Sequence, residues 1–209
     1  MSVIPFQQIL DKILYTKGIL HLGGYNGDDK SEYDRYGISN VLYVEPNPIL
    51  FEKLEKKVGR ENCVQMAVCH KDDLEVDFNL YYSKDRSNLG CSSLFKWSGL
   101  KQNQHIEECG IIKVKTIKID TLLRDRLDID FINMDIQGAE LHALYGAKKV
   151  LPQINCILTE FSIQKDYQDA CLLYELDDFL LPKGFQRVIT EFATKSWGDC
   201  VFIRKERVS

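Results

Sequence analysis

The chain has 209 residues, of which 44% are hydrophobic and 28% are charged, and its formal net charge is −4 at pH 7. This composition is typical of a globular domain, and it excludes a disordered, collagen-like or disulfide-stapled chain. The negative charge also argues against nucleic acid as a partner, because phosphate backbones are held by a surplus of Lys and Arg.

The length predicts a single domain over residues 1–209. Apolar runs are only a few residues long, whereas a membrane-crossing helix needs roughly 20. The N-terminal residues lack the pattern of a secretory signal, and the seven cysteines form no C-x-x-C pair. These features predict a cytoplasmic protein with free thiols and no membrane contact, and they make no prediction about its oligomeric state.

Short apolar segments alternate with amphipathic ones in the first half of the chain, as in a parallel sheet covered by helices on both faces. An N-terminal helix is predicted over residues 3–16, and strands are predicted at 18–22, 41–45 and 63–68. Asn47 is expected to cap a helix that begins at Pro48. The buried side of that helix is predicted at Leu50, Phe51, Leu54 and Val58.

An insertion is predicted over residues 74–119, with two added strands and a lid between them. Val76, Phe78 and Leu80 alternate with polar residues, and a less regular alternation runs from Ile112 to Ile119. The connection over residues 83–110 is too long for an ordinary loop in a compact domain. We therefore expect it to close over a substrate.

The C-terminal half is predicted to return to the parallel pattern, with strands at 129–135 and 154–161. Helices are expected after Gly138, where Leu141, Leu144, Ala147 and Leu151 form an apolar stripe, and over 170–181. A terminal strand pair is predicted at 184–189 and 200–203. The predicted fold is α/β, with a mostly parallel doubly wound sheet, an antiparallel terminal strand and a β insertion.

A ligand crevice is expected where the parallel strands end, because open α/β sheets bind ligands at their carboxyl edge. The glycines of the segment 23–27 follow the first strand in a G-x-x-x-G spacing, but Tyr25 stands where the dinucleotide motif needs glycine. Glu45 ends the second strand, where an acid can accept both ribose hydroxyls. The turn and the acid together predict an adenosine-type ligand.

Acidic residues also end the fourth and fifth strands. Asp135 is expected on the crevice floor, with helix capping as its alternative role, and Glu140 has either a local or a functional role. Glu160 ends an apolar strand, where a carboxylate must be wet, paired or bound to a cation. A divalent cation shared by Asp135 and Glu160 is left open, and no metal-ligand set is predicted.

Five segments of the chain, in order, resemble those of the FkbM-type S-adenosylmethionine-dependent methyltransferases. They are residues 23–27, 44–48, 133–141, 159–160 and 198–202, and the resemblance covers about residues 18–204. It implies a Rossmann-like class I methyltransferase fold. It also implies methyl transfer from S-adenosylmethionine to an oxygen, often of a sugar or a secondary metabolite.

The resemblance implies roles for individual residues. Gly23, Gly24 and Gly27 would line the methionine end of the cofactor, Glu45 would hold its ribose, and Ala67 and Val68 would lie beside its adenine. The other expected cofactor contacts are Tyr25, Asn26, Pro46, Asn47 and Asp135. Asp135 would face the methyl-transfer site and act with Glu160. His21 stands where the family commonly has an acid, two residues before the first glycine.

Substrate contacts are expected from the insertion. Ser92 and Ser93 resemble a recurring family segment that closes over the cofactor or the acceptor, and His105 is a further candidate base. We therefore expect an S-adenosylmethionine-dependent O-methyltransferase acting on a hydroxyl of a small molecule or glycan. The alternatives are another acceptor such as an RNA ribose or a nitrogen, a nicotinamide dehydrogenase, and a catalytically silent module that binds a nucleoside cofactor.

Overall fold

The computed structural model describes residues 2–13, 15–84, 89–98 and 106–207. The strands within these residues are β1 Ile19–Leu22, β2 Val41–Val44, β3 Cys63–Val64, β4 Ala67–Val68, β5 Glu75–Ser83, β6 Ile106–Ile117, β7 Phe131–Met134, β8 Cys156–Ser162, β9 Phe185–Phe192 and β10 Trp197–Arg204. The α-helices are α1 Phe6–Leu10, α2 Lys30–Arg35, α3 Pro48–Val58, α4 Ile119–Leu122, α5 Glu140–Tyr145 and α6 Leu173–Leu180. None of the helices in these ranges has the length and apolar character needed to span a membrane.

The main sheet has seven strands in the order β3-β2-β1-β7-β8-β10-β9. Strands β3, β2, β1, β7 and β8 are parallel neighbours, and β10 runs antiparallel to both β8 and β9. The chain moves outward from β1 to β3 and later returns beside β1 as β7, so the strand order reverses between β1 and β7. The predicted fold class is confirmed: this is a Rossmann-like, doubly wound sheet with an antiparallel terminal strand.

Both faces of this sheet are buried at its central strands, which explains why β1, β2, β7 and β8 are mostly apolar. Leu20 and Leu22 belong to a cluster on one face, whereas Ile19 packs in a second cluster with Phe131. Successive side chains of a strand point to opposite faces, so burial of both faces requires consecutive apolar residues.

Helix α3 forms as its sequence predicts. The Asn47 side chain accepts a hydrogen bond from the Ile49 N–H at 3.0 Å, and Pro48 occupies the first helical position. The predicted stripe of Leu50, Phe51, Leu54 and Val58 is buried. These choices depend on residues within a few positions of one another, so the sequence specifies them locally.

The predicted β insertion forms a second, three-stranded sheet in the order β4-β6-β5. Strands β5 and β6 are antiparallel partners, and β4 pairs in parallel with the end of β6. The prediction of one strand over residues 63–68 was wrong, because β3 pairs with β2 in the main sheet while β4 pairs in the smaller sheet. The apolar pattern runs through both segments and carries no information about the partner strand.

Three helices are shorter than predicted. The N-terminal helix spans Phe6–Leu10 rather than residues 3–16, since Ile4 precedes a proline and Val3 donates its N–H to Asp199 instead. Helix α6 begins at Leu173 rather than at residue 170. Helix α5 ends at Tyr145, so the buried Ala147 and Leu151 of the predicted stripe lie beyond it, in a turn and a 3₁₀ segment.

Candidate functional site

A cleft opens at the carboxyl ends of β1, β2 and β7, where the strand order reverses. Its cavity volume is about 240 Å³. Eight of the residues with predicted site roles line it, namely Gly23, Tyr25, Glu45, Pro46, Ala67, Val68, Ser92 and Asp135. The topology of the main sheet brings Gly23, Glu45 and Asp135 together, because β1, β2 and β7 are neighbours. Ala67, Val68 and Ser92 reach the cleft from the smaller sheet and the connection after β5.

The glycine turn after β1 fits tightly between two strands. Gly23 and Gly24 both donate their N–H groups to Val44 O at 2.9 Å. Gly23 has φ +83°, and a Cβ on it would lie 2.0 Å from the carbonyl oxygen of Asp135. Only glycine can therefore occupy this position without a shift of the backbone.

The other two glycines of the turn face helix α3 rather than the cleft. A Cβ on Gly24 or Gly27 would lie 3.0 or 3.1 Å from the side chain of Leu54. Asn26 lies between Tyr25 and Gly27, and its side-chain oxygen is buried without a hydrogen-bond partner in the described structure. These three residues shape the turn from behind, and Tyr25 is the member of the segment that reaches the cleft beside Gly23.

Glu45 is a buried carboxylate, 5% exposed, at the end of β2. Its Oε2 accepts the Tyr25 N–H at 2.9 Å, and its Oε1 accepts the Asn47 N–H at 2.8 Å. Burial raises the pKa of Glu45 to about 7, although both backbone hydrogen bonds favour the ionised form. Each oxygen keeps a lone pair for a further donor. Asn47 itself lies behind the cleft, where it caps α3.

An apolar wall forms one side of the cleft. Ala67 and Val68 of β4 are buried there. Phe78 from β5 and Leu94 from the following connection extend the same wall. The smaller sheet thus supplies a flat apolar surface beside the carboxylate of Glu45, and such a surface suits an aromatic ring.

Asp135 and Glu160 are joined by a side chain that the sequence did not single out. The Gln137 amide nitrogen donates to Asp135 Oδ1 at 2.5 Å and to Glu160 Oε2 at 3.0 Å. Because ionised carboxylates only accept hydrogen bonds, these two contacts fix the orientation of the amide, whose oxygen lies 2.9 Å from the Tyr167 hydroxyl. Asp135 faces the cleft, and Glu160 lies behind Gln137 within β8.

The turn that carries Gln137 is held by buried groups. Gln137 adopts φ +55°, and Glu140 Oε1 accepts the N–H groups of Ile136 and Gly138, both at 3.2 Å. Burial raises the pKa of Glu140 to about 7. Of its two expected roles, the structure therefore shows the local one, which is to brace the turn after β7.

The connection after β5 packs onto this turn. Ser93 is fully buried and donates its hydroxyl to Gln137 O at 2.7 Å. Ser92 lines the cleft and donates to Leu89 O at 2.8 Å. Part of the predicted lid, including the candidate base His105, lies outside the described residues.

His21 is buried in a hydrogen-bonded network with Tyr33 and Asn133. The Asn133 amide donates to the Tyr33 hydroxyl at 2.7 Å, and that hydroxyl lies 3.1 Å from His21 Nδ1. Tyr33 can therefore donate to Nδ1, which leaves the proton of a neutral imidazole on Nε2, 3.9 Å from Asp29 Oδ2. Burial lowers the pKa of His21, so the neutral ring is favoured.

Asp199 is a further acid of the cleft that the sequence analysis did not assign. It lies on β10 opposite Glu160 of β8. Its Oδ2 accepts the Ser2 hydroxyl at 2.8 Å and the Val3 N–H at 2.6 Å, and burial raises its pKa. Its place in the last of the five segments was the one signal in the sequence. No local pattern could pair it with Ser2, which lies 197 positions away.

Comparisons with known proteins identify relatives of this chain. A family model described as the methyltransferase FkbM domain matches residues 21–187. A 2-O-methyltransferase of Sinorhizobium fredii, NoeI, is 26% identical over 199 residues, which cover 91% of this chain and 80% of that protein.

Solved methyltransferase structures are similar at low sequence identity. An S-adenosylmethionine-dependent methyltransferase of Aquifex aeolicus has 10% identity and a TM-score of 0.49, covering 96% of this chain and 89% of that one. A Streptococcus pneumoniae protein described provisionally as a tRNA methyltransferase, in complex with S-adenosyl-L-methionine, has 14% identity and a TM-score of 0.46. That alignment covers 90% of this chain and 67% of the other.

The family match spans most of the chain, from β1 through the start of β9, and it includes the glycine turn, Glu45 and the segment from Asp135 to Glu140. Because the matching family consists of methyltransferases, the two alternative functions of a nicotinamide dehydrogenase and a catalytically silent module are set aside. The chain belongs to the FkbM family of S-adenosylmethionine-dependent methyltransferases.

Proposed function

We propose that this enzyme transfers a methyl group from S-adenosylmethionine to a hydroxyl group of a small molecule or glycan. The observation that carries the proposal is the Gln137 amide, which holds the carboxylates of Asp135 and Glu160 beside the cleft. A carboxylate fixed in this way can orient an acceptor hydroxyl and take up its proton.

The described residues fit the cofactor chemically. Glu45 keeps one lone pair on each oxygen for the two ribose hydroxyls, and Ala67 and Val68 form an apolar wall for an adenine ring. Asp29, Asp135 and Asp199 also line the cleft, and their carboxylates suit a ligand that carries a sulfonium and an ammonium group. Gly23 and Tyr25 line the cleft and would contact the methionine end of the cofactor.

The roles of Gly24, Asn26, Gly27 and Asn47 are indirect in this proposal. Gly24 and Gly27 allow close packing of the turn against α3, and Asn47 donates its backbone N–H to Glu45. Each of them fixes the position of a group that lines the cleft. Pro46 follows Glu45 and forms part of the wall itself.

The chemistry requires little from the protein beyond positioning. Bound S-adenosylmethionine supplies a methyl group that is already activated by the positive sulfur. Asp135 is then needed to hold the acceptor oxygen in line and to receive its proton, and Gln137 keeps Asp135 in place. Because Gln137 already donates to both carboxylates, its contacts support a base role for Asp135 over a shared cation site with Glu160.

The acceptor class rests on two observations. The relative NoeI is named as a 2-O-methyltransferase, and this chain aligns with 80% of its length. The net charge of −4 disfavours a long polyanion such as RNA. Ser92 is proposed to contact the acceptor, since it reaches the cleft from the connection after β5. Ser93 is buried against Gln137 and is proposed to hold that connection in place. The candidate base His105 lies outside the described residues.

The proposed location is the cytoplasm, in a reducing environment. Its support is the cysteine content, because six of the seven thiols are buried at separate places in the core and one, Cys109, is exposed.

A methyl-transfer assay with isotopically labelled S-adenosylmethionine tests the acceptor class. The purified enzyme is offered oligosaccharides, small hydroxyl compounds and single-stranded RNA, and the labelled product is mapped by mass spectrometry. We expect the label on a hydroxyl oxygen of a glycan or small molecule, and a labelling rate at least about 100-fold lower with Asp135→Asn. Labelling of RNA alone, or of a nitrogen alone, would overturn the proposal.

A further inference from the structure

A cluster of Cys69, His70 and His142 lies outside the residues that line the cleft. One ligand atom from each residue lies within 4.8 Å of the other two. Cys69 Sγ and His70 Nδ1 are 3.2 Å apart, and the rings of His70 and His142 have centroids 5.8 Å apart. A thiolate and two imidazoles are the ligands that Zn²⁺ prefers in proteins.

The spacing of these atoms is close to that of a tetrahedral centre. Zn–S and Zn–N bonds of about 2.0–2.3 Å place neighbouring ligand atoms roughly 3.3–3.8 Å apart. Cys69 Sγ and His70 Nδ1, 3.2 Å apart, are close to the lower end of this range, and the His142 ligand atom, within 4.8 Å of both, needs a movement of about 1 Å toward them. A side-chain rotation within one rotamer well supplies a movement of this size.

The backbone around the cluster brings two elements into direct contact. Cys69 and His70 follow β4, and His142 belongs to α5. A Cβ on Gly146, just after α5, would lie 2.5 Å from Cys69 O and 3.3 Å from His70 Cα. The loop therefore lies against the helix end only because Gly146 has no side chain. Cys69 N also donates to Ile117 O at 3.0 Å, which anchors the loop.

We infer that Cys69, His70 and His142 form a binding site for a single Zn²⁺ ion or a metal of similar ligand preference. Three protein ligands leave the fourth position of the tetrahedron for water, and the exposed side of His70 makes the site accessible. The bound ion joins the end of β4 to α5.

The position of the site links it to the methyl-transfer cleft. Val68, next to Cys69, and Ala139, next to α5, both line the cleft. The Phe95 ring packs edge-on against His142 with centroids 5.1 Å apart, so the connection after β5 touches the same site. An ion there holds three parts of the cleft wall together, which is a structural role and independent of the proposed acceptor.

Titration of the reduced and metal-stripped protein with Co²⁺ tests this inference, because a cobalt–thiolate bond produces a charge-transfer band in the near ultraviolet. We expect one equivalent of Co²⁺ to produce this band together with the visible bands of a tetrahedral site, and Zn²⁺ to displace it. Cys69→Ser should abolish the charge-transfer band. Since His70 is exposed, His70→Ala should leave the fold intact and weaken Zn²⁺ binding at least tenfold.

Cys109→Ser is the matched control, because Cys109 is the exposed cysteine and lies on β6. It should retain the band and the wild-type affinity. A wild-type protein without a charge-transfer band, or a band that survives Cys69→Ser and disappears in Cys109→Ser, would overturn the inference. In that case Cys69 and His70 form a hydrogen-bonded pair only. The readout is metal binding, so failure of this site leaves the methyl-transfer proposal untouched.

Discussion

Glu45 is a carboxylate that is buried before any ligand binds, and its two backbone hydrogen bonds only partly offset the loss of water. Its pKa of about 7 means that a substantial fraction of the folded protein carries a protonated Glu45 at neutral pH. A ribose that donates two hydrogen bonds stabilises the ionised form. Cofactor binding and the ionisation of this residue are therefore thermodynamically linked.

Replacement of Glu45 should weaken cofactor binding. Glu45→Ala removes charge-assisted hydrogen bonds to the ribose, and we expect a loss of about 1.5–3 kcal/mol for both S-adenosylmethionine and S-adenosylhomocysteine. Isothermal titration calorimetry measures both affinities. Glu52→Ala is the control, because Glu52 is exposed on the outer side of α3. Equal affinities of Glu45→Ala and wild type would place the cofactor elsewhere.

The affinity should also depend on pH in a defined direction. Burial raises the pKa of Glu45 in the folded protein to about 7, above the value of about 4.5 in the unfolded chain. Between these two pH values the unfolded chain ionises Glu45 more readily than the folded protein does, so the free energy of unfolding falls as the pH rises. The unliganded protein therefore loses stability from this group across that window, and Glu140 adds to the loss. Binding selects the ionised form, so cofactor affinity should rise up to about pH 7 and then level off.

Calorimetry over a pH series, with Glu45→Gln as the comparison, isolates this effect. The variant cannot ionise at position 45, so any change of its cofactor affinity with pH comes from other groups. A wild-type slope no steeper than that of Glu45→Gln would contradict the linkage.

Asp135→Asn should separate binding from turnover. The amide keeps the size of the side chain but cannot accept the proton of the acceptor, so we expect kcat to fall roughly 10²–10⁴-fold. Cofactor affinity should fall much less than kcat, because Asp29 and Asp199 still supply negative charge to the cleft. Asp125→Asn, at an exposed position, is the control and should behave as wild type. Steady-state kinetics measure kcat, and a binding titration measures cofactor affinity. Full activity of Asp135→Asn would remove this residue from the reaction.

Two turns at the carboxyl edge of the sheet use backbone conformations that side chains rarely adopt. Gly23 and Tyr25 have positive φ after β1, and Gln137 and Gly138 have positive φ after β7. A residue in the left-handed backbone conformation allows the chain to turn sharply after each strand and to present N–H groups or side chains toward the cleft. Glu45 and Glu140, one for each turn, accept the N–H groups that these turns expose.

Gly23→Ala tests how closely the two turns are coupled. The new methyl group would meet the carbonyl oxygen of Asp135, so one of the two strand ends must move. We expect a loss of more than about 2 kcal/mol in unfolding free energy and a loss of cofactor binding. Urea unfolding and calorimetry measure the two effects.

Gly37→Ala is the matched control for this substitution. Gly37 also has positive φ, +72°, but a Cβ there meets nothing within 4 Å. It should therefore lose only about 1–2 kcal/mol, for the left-handed backbone alone, and keep its affinity. Equal effects of the two substitutions would show that the contact with Asp135 carries no weight.

Over the whole molecule, residues that are far apart in the chain meet at the cleft. Ser2 and Asp199 are separated by 197 positions, yet they are hydrogen-bonded and both line the cavity. Asp130 binds the start of β1 in a similar way, through the Thr16 hydroxyl and the Lys17 N–H at 2.9 Å. Acids on the sheet thus hold the N-terminal segment across one face.

Asp199→Ala should release the N-terminal segment. It removes the acceptor for the Ser2 hydroxyl and the Val3 N–H, and we expect a loss of about 1–3 kcal/mol in unfolding free energy. Amide exchange over residues 2–13 should become faster, as followed by mass spectrometry. Asp178→Ala, at an exposed position on α6, should change neither quantity. Unchanged exchange in Asp199→Ala would mean that other contacts hold the segment.

The sequence by itself determined the features that depend on near neighbours. The apolar strands, the Asn47–Pro48 start of α3 and the positions of Gly23, Glu45 and Asp135 at strand ends follow from patterns within a few residues. Because parallel strands end at one edge of the sheet, these local patterns also predicted which residues share the cleft.

Only the tertiary structure decided the contacts between distant segments. In it, β4 pairs with β6 in the smaller sheet, and Gln137 donates hydrogen bonds to both Asp135 and Glu160. Ser2 likewise donates a hydrogen bond to Asp199. Hydrogen-bond partners of this kind depend on sheet register and on the packing of loops against strands, neither of which is written in the pattern of a single segment.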